Sequence, residues 1–244
     1  MTTFTSFSDL LPDPNNKINT AGASDAAGSA GPGFAKIKFE SDSNVPISRT
    51  VSGRGISAMP GYHKWGFSIS YNPMTRDEFD PVSTFLESRR GGRFYPFYVI
   101  LPQHAAPKNA AFASLCAGNL SGITVSGSHT SGSPTLLIAG VTSGEPSPGD
   151  FFTITDNADT NHKKAYKIVR VETPSTYQTG TTAPSANQRR LHVIPPITRT
   201  VSSGAVVNFI NPKFRVVQKG DMLEYELDDS NLYQFNLSLE EIMP

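Results

Sequence analysis

Residues 62–101, YHKWGFSISYNPMTRDEFDPVSTFLESRRGGRFYPFYVIL, constrain the fold more than any other stretch. Trp65, Phe67, Ile69 and Tyr71 alternate with Lys64, Gly66, Ser68 and Ser70, the two-residue period of a strand with one face in a core. Asn72 and Pro73 end it. Thr75 and Glu78 have the spacing of a capping box, which starts a helix. Pro81 lacks an amide hydrogen, so the pattern predicts a break there, with Asp80 as a fresh N-cap and Pro81 at the tolerated first position. Phe79, Val82, Phe85 and Leu86 then share one side. Arg89 and Arg90 suit the negative end of the helix dipole, and Gly91 supplies a left-handed residue to stop it. The run 94–101 is apolar or aromatic at nearly every position. It predicts a strand buried on both faces, or one that meets a neighbouring subunit.

On either side of this stretch the chain changes character. Residues 1–33 are rich in Gly, Ala, Ser, Asn and Pro, too poor in apolar surface to offset their ordering entropy, and predict a flexible arm. Phe4, Phe7, Leu10 and Leu11 are the exceptions and could anchor the arm to a partner surface. Strands are expected around Ile37 and Phe39, and over 47–54. After a boundary-like link at 102–107, residues 108–211 are dominated by Gly, Ser, Thr and Pro between short apolar runs at 123–125, 136–141, 151–155, 165–171, 191–194 and 206–210. Short strands at this spacing predict a small barrel or sandwich. Gly149 and Asp150 form a plausible tight turn, and 173–188 an exposed loop. Alternation returns at 214–217, 223–227 and 233–239, the last two read as a hairpin turning at Asp228, Asp229 and Ser230. The simplest assembly is all-β with one short helix: a discontinuous β-sandwich over 34–106 plus 212–244, with a second β-domain inserted at 107–211.

Few chemistries find support. Lys plus Arg equal Asp plus Glu at 21 each, so no global charge points to nucleic acid or an anionic membrane. Cys116 is alone, which excludes an internal disulfide and a multi-cysteine metal site. The start MTTFTSFSDLL has no signal-peptide pattern, and the longest apolar run is far short of the roughly 20 residues that span a bilayer. There is no phosphate loop, HExxH or Gly-x-Ser-x-Gly elbow. His63, His104, His129, His162 and His192 lack metal-ligand spacing and read as surface or packing residues. Asp228 and Asp229 are adjacent and so point to opposite faces of a strand, unsuited to a glycosidase pair. His162, Lys163, Lys164 and Lys167 read as a solvated basic face. No catalytic residue, cofactor or metal is expected.

A local charge asymmetry stands out. Residues 49–103 carry seven basic against four acidic residues, whereas 213–244 carry three against seven. Such segments can supply complementary patches between copies of one protein.

The ordered series SGR at 52–54, the Trp65 strand, YNPMTRDEF at 71–79, Pro81-Val82, Phe85-Leu86, RGG at 90–92 and FYVILP at 97–102 resembles minor tail proteins of tailed bacteriophages. So do GDFF at 149–152, AYKI at 165–168, LHVIPP at 191–196 and the closing 233–241. The likeness is to the distal tail protein group. It implies a discontinuous sandwich-like domain with an inserted OB-like barrel. It further implies a virion protein, assembled in the host cytoplasm, of which six copies form a ring. The ring would join the tail tube protein to a baseplate or tail-tip hub protein, with a tape measure protein as a further neighbour and DNA only in transit. A heterologous ring needs two complementary patches per subunit. Arg76, Arg89, Arg90 and Arg93 on one side and Glu224, Glu226, Asp228 and Asp229 on the other are the expected interface residues. The alternative is a carbohydrate-binding module contacting host glycan, for which loop aromatics such as Tyr177 would be the discriminating feature. A hydrolase would need a cleft that joins Ser or Asp to a histidine, and no spacing here predicts one.

Overall fold

The computed structural model describes residues 9–12, 17–18, 24–25, 29–30, 34–43, 47–57, 63–89, 95–178, 182–220 and 225–243. The protein is mostly β and contains a closed six-stranded barrel. Its chain forms two compact units, Met1–Tyr98 with Arg215–Ile242, and Val99–Phe214 with Met243–Pro244.

Three two-residue strands come first, β1 (Lys17–Ile18), β2 (Ser24–Asp25) and β3 (Ser29–Ala30), paired in the order β2-β1-β3. They are followed by β4 (Phe34–Asp42), β5 (Ile47–Arg49), β6 (Gly55–Ser57), β7 (Lys64–Tyr71), helix α1 (Arg76–Ser88) and β8 (Phe97–Ile100). The expected strand over 47–54 is instead the start of a hairpin. Gly53 has φ +79°, and Thr50 and Arg54 exchange backbone and side-chain hydrogen bonds across the turn, so the chain reverses where continuous pairing was expected.

The main sheet runs β4-β7-β17-β15-β8, where β15 is Lys213–Gln218 and β17 is Tyr233–Glu241; β16 (Tyr225–Leu227) pairs beside β17. Along β7, Trp65, Phe67, Ile69 and Tyr71 are all buried and their neighbours are not, as the alternation required. Cross-strand partners continue the apolar face, with Phe39 opposite Phe67 and Leu237 opposite Ile69. Helix α1 buries Phe79, Val82, Phe85 and Leu86. Phe85 meets Phe97 edge-on at 5.4 Å and Phe79 stacks on Tyr233 at 4.5 Å, so the helix lies against the sheet. Each such side chain contributes roughly 1.5–3 kcal/mol on burial.

The helix is continuous through Pro81, contrary to the expected break. Proline forfeits one hydrogen bond in the second turn. Its ring is buried with Phe79, Val82, Phe85 and Leu86, and burial of apolar surface is favourable. The box at the start forms as expected, the Glu78 carboxylate accepting from the Thr75 amide at 2.9 Å. Gly91 lies outside the described residues; Arg89 is the C-cap.

The second unit contains α2 (Ala110–Gly118), β9 (Thr124–Val125), β10 (Thr135–Ala139), β11 (Phe151–Thr155), β12 (Ala165–Glu172), β13 (Gln188–Ile194) and β14 (Val206–Asn208). All six strands stand where short apolar runs were found. They close in the order β10-β13-β12-β11-β14-β9. Phe152, Ile154, Tyr166, Ile168, Leu191 and Val193 fill the core. Helix α2 corrects the expectation of a single helix. Its sequence, AAFASLCAG, lies in the stretch expected to hold only short strands between Gly, Ser, Thr and Pro, yet alanine is the strongest helix former, and Asn109 caps it by accepting from the Phe112 amide at 3.1 Å. Phe112 and Cys116, four residues apart on one face, pack into the barrel core. Burial pushes the Cys116 thiol up to about 11.

Candidate functional site

The candidate interface residues fall on two elements of the first unit. At the start of α1, Arg76 is exposed and pairs with Asp80 at 3.4 Å one turn on, an exposed contact worth about 0–1 kcal/mol. At the other end, Arg89 is drawn inward. Its guanidinium sits 2.5 Å from Asp9 and lies over the Phe85 ring at 5.4 Å. Arg90, Arg93 and Glu224 lie outside the described residues.

The acidic group sits on the hairpin of β16 and β17. Asp228 serves the turn itself, its carboxylate accepting from the amides of Ser230 and Leu232, both at 2.9 Å. Asn231 takes the left-handed conformation there, φ +57°. Glu226 and Asp229 are exposed. Beside Glu226, Tyr225 and Leu227 are also exposed, 49% and 53%, and the Tyr225 ring rests on Phe79 at 4.9 Å. Backbone bonds between Met74 and Tyr233 tie the hairpin to the start of α1. The hairpin and Arg76 therefore share one side of the unit. Arg89 lies a helix length away, about 20 Å at 1.5 Å per residue over the 13 residues.

In the single chain, Leu10 and Leu11 of the expected anchor lie against the first unit. Leu10 forms a parallel bridge to Tyr98, the Leu11 amide donates to Tyr98 O at 2.8 Å, and the Tyr98 amide donates to Asp9 O at 2.7 Å. Leu11 is fully buried. Phe4 and Phe7 lie outside the described residues.

Two polar clusters in the barrel were not foreseen. Glu172, 1% exposed, accepts from Arg170, from Arg190 at 3.3 Å and meets His192 at 3.0 Å. Alternation of Arg170 with Glu172, and of Arg190 with His192, was visible in sequence. Only the β12/β13 register, shifted by a bulge between Ile168 and Arg170, brings them together. The second cluster corrects half of the expected solvated basic face: His162 and Lys164 are buried, whereas Lys163 is exposed and Lys167 half-buried. His162 Nε2 lies 2.8 Å from the Tyr166 hydroxyl, which also meets Thr198 and accepts its amide hydrogen. Burial pushes the His162 imidazole down to about 4, so it packs as a neutral group. Neighbouring Asp159 binds Arg199.

The other histidines also pack. His63 meets Ser41 and the edge of Trp65, His104 lies against Phe151, and His129 accepts from the Leu137 amide. Burial lowers the pKa of His104 and of His129. Among the described residues no group of three His, Cys, Asp or Glu could hold a metal ion. Nor, among them, is any helix long and apolar enough to cross a membrane. Tyr177 is 42% exposed beyond the end of β12. No protein-family model matches this sequence, and neither does any curated protein.

Proposed function

We propose that the chain is a structural component of a bacteriophage tail, a ring protein at the distal end of the tube. Six copies would join the tube to a baseplate or tail-tip hub and leave a channel for DNA. The observation that carries this reading is the architecture: a closed six-stranded barrel interrupts, in sequence, a unit built on one main sheet and one helix. That is the order the resemblance to distal tail proteins implies. In this reading the first unit is the sandwich-like, ring-forming domain and the barrel is OB-like. Separation of the two charged ends of α1, with the acidic hairpin at one of them, supplies the unlike surfaces that head-to-tail closure requires.

Light scattering after size exclusion tests the proposal. The expected mass is about six times the 26.3 kDa chain, and rising salt should weaken the oligomer because its patches are charged. Replacing Glu226→Lys should weaken it further at low salt. A monomer at every concentration and salt would overturn the reading.

A further inference from the structure

The segment 9–12 is held by its own set of contacts, separate from the continuous fold. Two backbone hydrogen bonds join it to Tyr98, Leu11 is wholly buried, Asp9 meets Arg89 at 2.5 Å, and the Tyr71 hydroxyl donates to Pro12 O at 3.4 Å. Strand β8 is the last strand of the main sheet, so the segment completes an edge that would otherwise offer unpaired backbone groups. Before the chain reaches β4 it runs through 21 residues, 13–33, rich in Gly and Ala. Within one chain this connection has to cross the main sheet, because β4 stands at the edge opposite β8; five strand spacings of 4.7–4.9 Å make about 24 Å, which far fewer than 21 extended residues would span. At 3.3–3.6 Å per residue the fully extended connection reaches about 70 Å. The three two-residue strands within it are short enough to open readily.

We propose that this arm is exchanged between copies: residues 9–12 of one subunit occupy the β8 edge of the next. The inference rests on the ring reading. Every contact made within one chain can be made identically by a neighbour, so exchange forfeits no hydrogen bond, ion pair or buried leucine. In a free monomer the tether favours the chain's own slot, because the arm's effective concentration there is high. In a ring the neighbouring slot stands at comparable range, and every arm finds a slot with none left over. The Asp9 carboxylate then carries the acidic side of a contact between subunits to Arg89, the end of α1 remote from the hairpin. The Gly/Ala-rich sequence gains a purpose as the span.

The test uses the full-length chain carrying Leu10→Cys and Tyr98→Cys. These residues are bridge partners, and neighbouring strands lie 4.7–4.9 Å apart, within disulfide range. Oligomer and monomer fractions are separated, oxidised and run on non-reducing gels. Exchange predicts that the oligomer fraction gives a covalent ladder up to ring size and that the monomer fraction gives internal closure alone. An oligomer fraction in which only internally closed monomers form overturns the exchange and leaves the ring reading standing. If no oligomer forms at any concentration, both fall. Should that pair fail to fold, Asp9→Cys with Arg89→Cys and a short bismaleimide gives the same readout.

Discussion

Glu172 is the sharpest place to test the energetics of the barrel. Its carboxylate is 1% exposed and holds two arginines and a histidine, of which Arg190 is 16% and His192 20% exposed at the side chain. Replacing Glu172→Leu keeps apolar volume but leaves the guanidinium of Arg190 partly buried without its counter-charge. Removing one partner of a buried pair costs about 3–5 kcal/mol. Arg170, 46% exposed, can turn into water, which moves the expected loss to the lower end, about 3 kcal/mol. For a unit of about a hundred residues that corresponds to a fall in Tm of roughly 12 °C. Thermal unfolding followed by far-ultraviolet circular dichroism measures it, and fluorescence of Trp65, a residue of the first unit, provides an internal comparison. Because the cost lies in the stranded charges, adding Arg170→Met and Arg190→Met to Glu172→Leu should recover most of the loss. A single variant within about 0.5 kcal/mol of the parent, or a triple variant no better than the single, would refute the argument.

Three further outcomes follow from the same structure. His162 titrates near 4 when folded against 6.5 as a free group. The unfolded chain therefore takes up a proton that the folded one refuses, and stability contributed by the neutral imidazole is lost as pH falls from about 6.5 to 4. The full effect is about 3 kcal/mol, and His162→Phe should flatten that part of the denaturation profile; an unchanged slope would contradict the burial argument. Gly140 has φ +94°, and a Cβ there would stand 2.1 Å from Gly122 O; Gly140→Ala should lower stability by more than 1 kcal/mol in urea titration. Cys116, with its thiol pushed up by burial, should react with a thiol reagent at pH 8 only after the barrel is unfolded, and rapid labelling of the native protein would count against its place in the core.

What sequence reveals and what it conceals divides along physical lines. Strand β7 was legible because burial on one face imposes a two-residue period, and the six barrel strands because Gly- and Pro-containing turns bound each short apolar run. Helix α2 was not, since AAFASLCAG has almost no polar residue to mark a face, and only its packing on Phe209 and the barrel core defines one. Pro81 was read by local rule alone. Its ring is buried on the apolar face of α1, and the helix continues through it. Of the candidate interface residues, Arg76, Glu226 and Asp229 are exposed as a surface role requires, whereas Asp228 belongs to a turn and Arg89 to a contact with Asp9, eighty residues earlier in the chain. Pairings across such separations, like that of Glu172 with Arg190, depend on register and tertiary placement, which no local pattern encodes.

The central proposal is that copies of this chain close into a ring at the end of a phage tail tube. Electron microscopy of the purified oligomer, averaged over single particles, tests it most directly. The account predicts a closed ring of six subunits with an opening through its centre. Open filaments, compact particles with two-fold symmetry or single chains alone would contradict it.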